Sequence, residues 1–311
     1  MLGALLWLAG GRLAAQGIAY DGSLSASTGD YFFTEPTSSV VLTNSLAVRA
    51  GRFTFRGTLP VWWQNTTLLT PTGAGSIPDG GPDGRDAVRD SGQAREQRKG
   101  GGSGDGSGSG SGSGGRSGGA QAVRTPAGVL LSSSGEPDVP APSQSLTGWD
   151  VAVADPTLQA GVRIPAGSQV STGMSVTAKL PLTGTSAIGT GEWDFGAYGY
   201  VSVPLSSRLT AGLDASYWVL GDLPDFEFQN PVTGSASLGL LFGNGWAGLA
   251  SFTAGTSALE GYDAPLWIGA ALRRLRGNGA IGLNLTVGLS ETVPDLGLGL
   301  TWSVPIRTGS Q

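Results

Sequence analysis

The chain has 311 residues, 13% of them charged, and a formal net charge of −5. Soluble domains usually carry about 25% charged residues, and no run of about 18 apolar residues is present that would form a membrane-spanning helix. The absence of cysteine and histidine excludes disulfide frameworks, thiolate metal sites, histidine-containing catalytic triads and imidazole pH switches. With a negative net charge and no basic patch, nucleic acid is not expected as a partner.

The first 16 residues resemble a secretory signal peptide. An apolar run ends in Leu13, Ala14, Ala15 and Gln16, and Ala15 suits the position before a cleavage site. The basic residues that usually precede the apolar run are missing. The alternative is that residues 1–16 are a buried first strand.

The next three segments read as β-strands. Residues 17–28 have a weak strand pattern, whereas residues 40–49 and 52–64 alternate between apolar and polar or small side chains. Because successive side chains of a strand point to opposite faces, each segment presents one apolar face and one polar face. Residues 50–51 form a tight turn between the second and third segments.

The alternation stops between residues 65 and 148. Residues 100–119 consist almost entirely of Gly and Ser, a composition that gives flexible coil, and the flanking basic residues are mixed with acids, as in a solvated segment. We therefore predict that residues 66–148 are a long disordered loop. A linker between two domains is disfavoured, because the few strands before it cannot close a core alone.

From Trp149 to Ile306 the alternation resumes and continues almost to the end of the chain. In residues 280–290, for example, the odd positions are apolar and the even positions are small or polar. The connections alternate between short and long, and residues 243–245 (Gly-Asn-Gly) are a strong hairpin turn. This pattern predicts an all-β fold, a single antiparallel transmembrane β-barrel of about 12 strands that comprises residues 17–311 and is interrupted by the long outer loop.

The polar face of the strands is built from Gly, Ser, Thr and Asn with an occasional charged residue, and the chain has only two lysines, Lys99 and Lys179. A soluble barrel would carry many charges on its exterior, so the apolar face is predicted to contact lipid. The predicted location is the bacterial outer membrane, with both termini periplasmic, and the expected partners are outer-membrane lipid and the barrel-assembly machinery. Aromatic residues at strand ends match the girdles of such barrels: Trp63, Trp149, Trp193, Tyr217, Trp246 and Trp302.

Several short motifs resemble those of a known family of outer-membrane barrels, the "transporter" family grouped with the meta-pathway phenol-degradation proteins. The matching stretches cover most of the chain outside residues 66–148. They are residues 25–31 (SASTGDY), 52–64 (RFTFRGTLPVWWQ), 153–158 (VADPTL), 179–184 (KLPLTG), 189–194 (GTGEWD) and 221–223 (GDL). The chain departs from the family at residues 150–155 and in residues 307–311, which lack a terminal aromatic.

The resemblance implies a passive channel or transporter for small, hydrophobic or aromatic solutes, and it names no particular solute. The candidate pore-lining residues are the charged and aromatic side chains that alternate onto the polar face. Charged residues of this kind tune selectivity or pair with one another to fill a narrow barrel, and the aromatic ones either stack on a solute or pack. These candidates are Arg49, Arg56, Arg163, Lys179, Asp194, Tyr198, Tyr200, Asp214, Trp218 and Arg273.

Two other classes of function compete with a channel. An enzyme would need a nucleophile with a general base, and without histidine no such constellation is evident, so we expect no enzymatic activity and no cofactor. A surface anchor with a plugged barrel is the stronger competitor, because the outer loop is long.

The acidic residues of the loop after residue 221 suggest a calcium site only weakly, since they lack the spacing of a calcium-binding loop.

Overall fold

The computed structural model describes residues 17–33, 35–100, 149–167, 170–183, 189–223, 226–276 and 279–306. The predicted signal peptide in residues 1–16 and the Gly/Ser-rich residues 101–148 lie outside the described residues. None of the helices in the described ranges is long and apolar enough to span a membrane.

The described residues form the strands of one large sheet, a small hairpin and a helix. The hairpin consists of β4 (Thr70–Thr72) and β5 (Gly75–Ile77), and the helix α1 spans Gly81–Gly100. The strands of the large sheet are β1 (Gly17–Gly29), β2 (Thr37–Ala50), β3 (Phe53–Gln64), β6 (Asp150–Val153), β7 (Thr157–Pro165), β8 (Ser171–Lys179), β9 (Asp194–Pro204), β10 (Leu209–Val219), β11 (Val232–Gly243), β12 (Trp246–Gly255), β13 (Leu266–Arg276), β14 (Gly279–Gly288) and β15 (Leu296–Ile306).

The large sheet closes into an antiparallel barrel, as the alternation predicts. Consecutive strands pair along the chain, and β1 also pairs with β15 from Ile18 opposite Ile306 to Thr28 opposite Leu296. The short strands β6 and β7 both pair with β3 and together occupy one position in the wall. The wall therefore has twelve strands, and the expected strand number is confirmed.

The two faces of the wall differ in the way that the alternation predicts. Large apolar side chains point outward and are exposed in the isolated chain, for example Val176 (62% exposed), Leu283 (60%) and Leu298 (57%). A continuous exposed apolar surface of this extent is rare on soluble monomers, whereas a transmembrane barrel presents such a band to lipid. The inner face carries mainly Gly, Ser and Thr, so a lumen remains between the walls.

A β-bulge interrupts the wall between β6 and β7. Val61 of β3 pairs with Val153, but Thr58 pairs with Thr157, so three residues on one side lie opposite two on the other. An extra residue of this kind exchanges the faces of a strand. Because of this exchange Val153 and Leu158 both point outward, and Asp155 within the bulge is buried at the barrel mouth.

The first part of the insertion is folded, and the prediction of disorder is wrong for residues 66–97. This segment contains the β4–β5 hairpin and most of α1, and Leu68, Leu69, Ile77 and Val88 are buried. The apolar partners of these side chains come from distant loops of the barrel. A local sequence pattern could not reveal them.

The closing seam between β1 and β15 leads to a test of the barrel. Ser25 lies directly opposite Gly299 on the inner face, and the chain has no cysteine of its own. Because opposite side chains on neighbouring strands lie about 4.5–5.5 Å apart, we expect the pair Ser25→Cys and Gly299→Cys to form a disulfide in folded protein. The measurement is a change of gel mobility after boiling that a reductant reverses.

The matched control combines Ser25→Cys with Asn284→Cys, which lies one strand further along the same face. This pair should remain reduced. Equal disulfide formation in both double variants, or none in either, would contradict the closed strand order.

Candidate functional site

The long connections of the barrel and the folded part of the insertion pack together at one end of the lumen. Their apolar side chains form one cluster, to which the loop after β1, the loop after β10 and the loop after β12 all contribute. Val88 of α1 is fully buried in this cluster. The members are Phe32, Phe33, Leu68, Ile77, Val88, Leu220, Leu223, Phe226, Phe228, Leu259 and Tyr262. The insertion therefore covers the mouth of the barrel.

Lys179 is the centre of a buried charged cluster at the edge of this mouth. Its Nζ lies 3.0 Å from Asp194 Oδ2 and 3.7 Å from Asp155 Oδ2, and it donates a 2.6 Å hydrogen bond to Thr190 Oγ1. All three charged side chains are nearly inaccessible to water. Buried charges require partners of this kind, so the two carboxylates make the burial of Lys179 possible.

Asp194 also binds the insertion. Its Oδ2 accepts a 2.7 Å hydrogen bond from the backbone N–H of Gly73, at the tip of the β4–β5 hairpin, and its Oδ1 accepts one from Gly221. A side chain at position 73 would clash, because a Cβ there would lie 2.3 Å from the ring of Trp218. Glycine thus allows the hairpin tip to reach both Asp194 and Trp218.

A second buried carboxylate, Asp79, orders the segment between the hairpin and α1. It accepts hydrogen bonds from Thr70 Oγ1, from the backbone N–H of Gly81 and from Arg85 Nε at 2.7 Å. Burial raises the pKa of Asp79, and the Arg85 guanidinium together with these hydrogen bonds opposes the rise. Asp79 therefore joins the hairpin to the first turn of α1.

Arg95 fixes the other half of α1. Its side chain is 6% exposed and forms an ion pair with Glu291 in the loop between β14 and β15. The guanidinium lies 4.6 Å from the ring centroid of Tyr262, whose hydroxyl donates a hydrogen bond to the Val88 carbonyl. Burial raises the pKa of Tyr262 to about 12, and the charge of Arg95 acts in the opposite direction.

Below the covered mouth, the lumen contains a cavity of about 550 Å³ at the end with the short turns. Arg49, Arg56 and Arg273 line it together with Asp21, which forms a 2.9 Å ion pair with Arg56. A second cavity of about 370 Å³ shares Arg49 and adds Arg52 and Arg163. The lumen at this end is therefore rich in arginine.

The candidate residues chosen from the sequence divide into three groups along the barrel axis. Arg49, Arg56, Arg163 and Arg273 line the cavities at the short-turn end. Tyr198, Tyr200 and Asp214 lie on β9 and β10, where Tyr200 pairs with Asp214. The two tyrosine rings are 6.2 Å apart and also line the smaller cavity beside Arg49 and Arg163. Lys179, Asp194 and Trp218 contact each other or the insertion at the mouth.

Sequence reasoning missed the part played by Asp155, Thr190 and Gly73. Asp155 and Thr190 stood in the short motifs that resemble the transporter family, but those motifs were interpreted only as strand ends. The structure brings four of the motifs together around Lys179. Among the residues that the structure describes, no group of three or more acidic residues is placed to hold a metal ion.

Comparisons with known proteins give similarities of overall shape only. No protein-family model matches the chain, and no curated protein matches it in sequence. Among solved structures, the NanC porin has a TM-score of 0.48 and 8% identity over 93% of this chain and 99% of its own. The CymD monoaromatic hydrocarbon channel has a TM-score of 0.43 and 10% identity, over 95% of this chain and 90% of its own. The toluene transporter TodX of Pseudomonas putida has a TM-score of 0.42 and 10% identity, over 95% of this chain and 92% of its own.

The ion pair at the mouth can be tested with Asp194→Asn, which leaves Lys179 only the more distant Asp155. Removing one partner of a buried pair costs about 3–5 kcal/mol, so we expect amide exchange in residues 70–77 to become at least about a hundredfold faster. Hydrogen–deuterium exchange of the Gly73 amide is the measurement. Asp214→Asn, on the neighbouring strand at mid-height, should leave the hairpin protected. Unchanged exchange in Asp194→Asn would contradict the proposed attachment.

The attachment of α1 predicts a second effect. Arg95→Met removes the ion pair with Glu291 and the contact with Tyr262, so the helix should become mobile. A spin label on Gln93→Cys, a unique cysteine at an exposed position, would report this as a narrower resonance line. Glu96→Gln is the control, because Glu96 lies next to Arg95 on the same helix and its side chain is exposed. Equal mobility in the two variants would refute the role of Arg95.

Proposed function

We propose that the chain is an outer-membrane passive channel for small solutes whose outer mouth is covered by residues 65–100. The lumen between the barrel wall and this cover carries the proposal, because it is lined by polar and charged side chains. A barrel that served only as an anchor would be expected to fill its interior with packed side chains. We propose no enzymatic role, since the sequence contains no histidine that could serve as the general base of a hydroxyl nucleophile.

The proposed orientation places the short turns and both ends of the barrel wall in the periplasm. Single-chain bacterial barrels have short periplasmic turns and longer outer loops, and the paired ends of β1 and β15 lie at the short-turn end. The covered mouth then faces the outside. The grouping with meta-pathway transporters remains a proposal that rests on the motifs around Lys179, and it favours uptake of small aromatic compounds.

A surface anchor is the alternative function, and the covered mouth is the observation that favours it. The apolar cluster and the ion pairs of Lys179 and Arg95 hold the cover at several separate points. Under this alternative the cover never opens, and the outer loop is the functional part.

Conductance across planar bilayers separates these functions. Replacing residues 66–148 by a short Gly-Ser linker removes the cover, so we expect discrete conductance that is several-fold larger than that of the intact chain. The control shortens only residues 101–148 and keeps the hairpin and α1. It should conduct like the intact chain. A barrel without residues 66–148 that is folded but silent would contradict the channel.

A further inference from the structure

The charges of the lumen are separated along the barrel axis. At the mouth, the charge of Lys179 is balanced by Asp155 and Asp194. At the short-turn end, five arginines line the two cavities, which share Arg49, and Asp21 is the acidic residue among the described lining residues. This end is positive although the chain as a whole has a net charge of −5.

Most of these guanidinium groups form no ion pair with the residues that the structure describes. Arg56 is paired with Asp21 at 2.9 Å, and Arg52 lies over the ring of Phe53. For Arg49, Arg163 and Arg273, the described part of the chain provides neither an ion pair nor a hydrogen bond, and their side chains are exposed within the lumen. Their five N–H donors each are therefore available to a solute.

The surroundings strengthen the effect of these charges on a solute. A cleft that carries one sign of charge between walls of low dielectric constant concentrates the field and attracts ions of the opposite sign. A guanidinium group matches the two oxygens of a carboxylate with two parallel hydrogen bonds. Thr301 and Ser303 add hydroxyl groups along the same cavity, which suits a polar solute better than a hydrocarbon.

We infer that the short-turn end of the lumen is a binding site for small organic anions, with carboxylates as the ligand class. Arg49 and Arg273 lie on the two sides of the larger cavity, and Arg49 and Arg163 share the adjoining one. The inference rests on the proposed channel for its biological meaning, because it names the class of solute that the channel would carry. It differs from uptake of uncharged aromatic compounds, which the motif resemblance favours.

Saturation-transfer NMR on the detergent-solubilised full chain tests the site directly. Succinate is the probe, and succinamide is the uncharged control of similar shape. We expect saturation transfer to succinate but not to succinamide. The double variant Arg49→Gln with Arg273→Gln should bind succinate about tenfold more weakly, because it loses two partly exposed charged contacts.

The matched control is Arg274→Gln, next to Arg273 in sequence but on the outer face, where its guanidinium lies 5.1 Å from the ring of Trp246. It should bind succinate like the unmodified chain. Equal signals from succinate and succinamide, or no signal from either, would overturn the anion site. Equal losses in the double variant and in Arg274→Gln would also overturn it.

The succinate-binding and conductance measurements together separate this inference from the proposed function. A chain that binds succinate through Arg49 and Arg273, but conducts no ions after residues 66–148 are removed, would refute the channel and support the anion site. A barrel that conducts but favours neither succinate nor anions in its reversal potential would refute the anion site and leave the channel.

Discussion

The pairing of every backbone N–H and C=O group within the wall is the constraint on which the structure depends. Hydrocarbon offers these groups no hydrogen-bond partner, so a sheet that crosses a membrane must close on itself. Closure requires β1 to meet β15, and an even number of antiparallel strands brings both ends of the wall to one side. It also divides the side chains into two sets, a lipid-facing set that is apolar and an inner set that is free to carry function.

The inner set performs two different tasks at the two ends of the lumen. At the mouth, charged residues are paired and buried, and they hold the hairpin and α1 against the wall. At the short-turn end, arginines remain exposed inside the lumen. Buried pairs stabilise one arrangement of the cover, because losing either partner leaves an uncompensated charge. Exposed guanidinium groups contribute little to stability, so their concentration at one end is better explained by an interaction with solute.

The fold was largely predictable from the sequence, whereas the site was predictable only in part. The alternation of apolar and polar residues predicted the strands, and it predicted that Arg273 faces the lumen and Leu283 faces lipid. Such a pattern can be read from neighbouring residues in the sequence alone. The fold of residues 65–100 was not predictable, since α1 has little apolar periodicity and Val88 packs on loops far along the chain. The cluster around Lys179 was not predicted as a cluster, because its members meet only through the register in which β7, β8 and β9 pair. Asp155 lies in the bulge before β7, Thr190 lies in the loop after β8, and Asp194 begins β9 directly opposite Lys179.

The position of the insertion in the chain has a consequence for assembly. Residues 65–100 follow only three wall strands, yet most of their partners lie in loops after β10, β12 and β14, which are synthesised much later. Pairings between residues that are distant in sequence form slowly, because a long chain must be ordered before they contribute. Residues 65–100 therefore cannot bury their apolar side chains until nearly all strands of the wall have formed. Barrel closure and the seating of the cover become the late, coupled steps of folding, and the exposed intermediate is the one most in need of a chaperone.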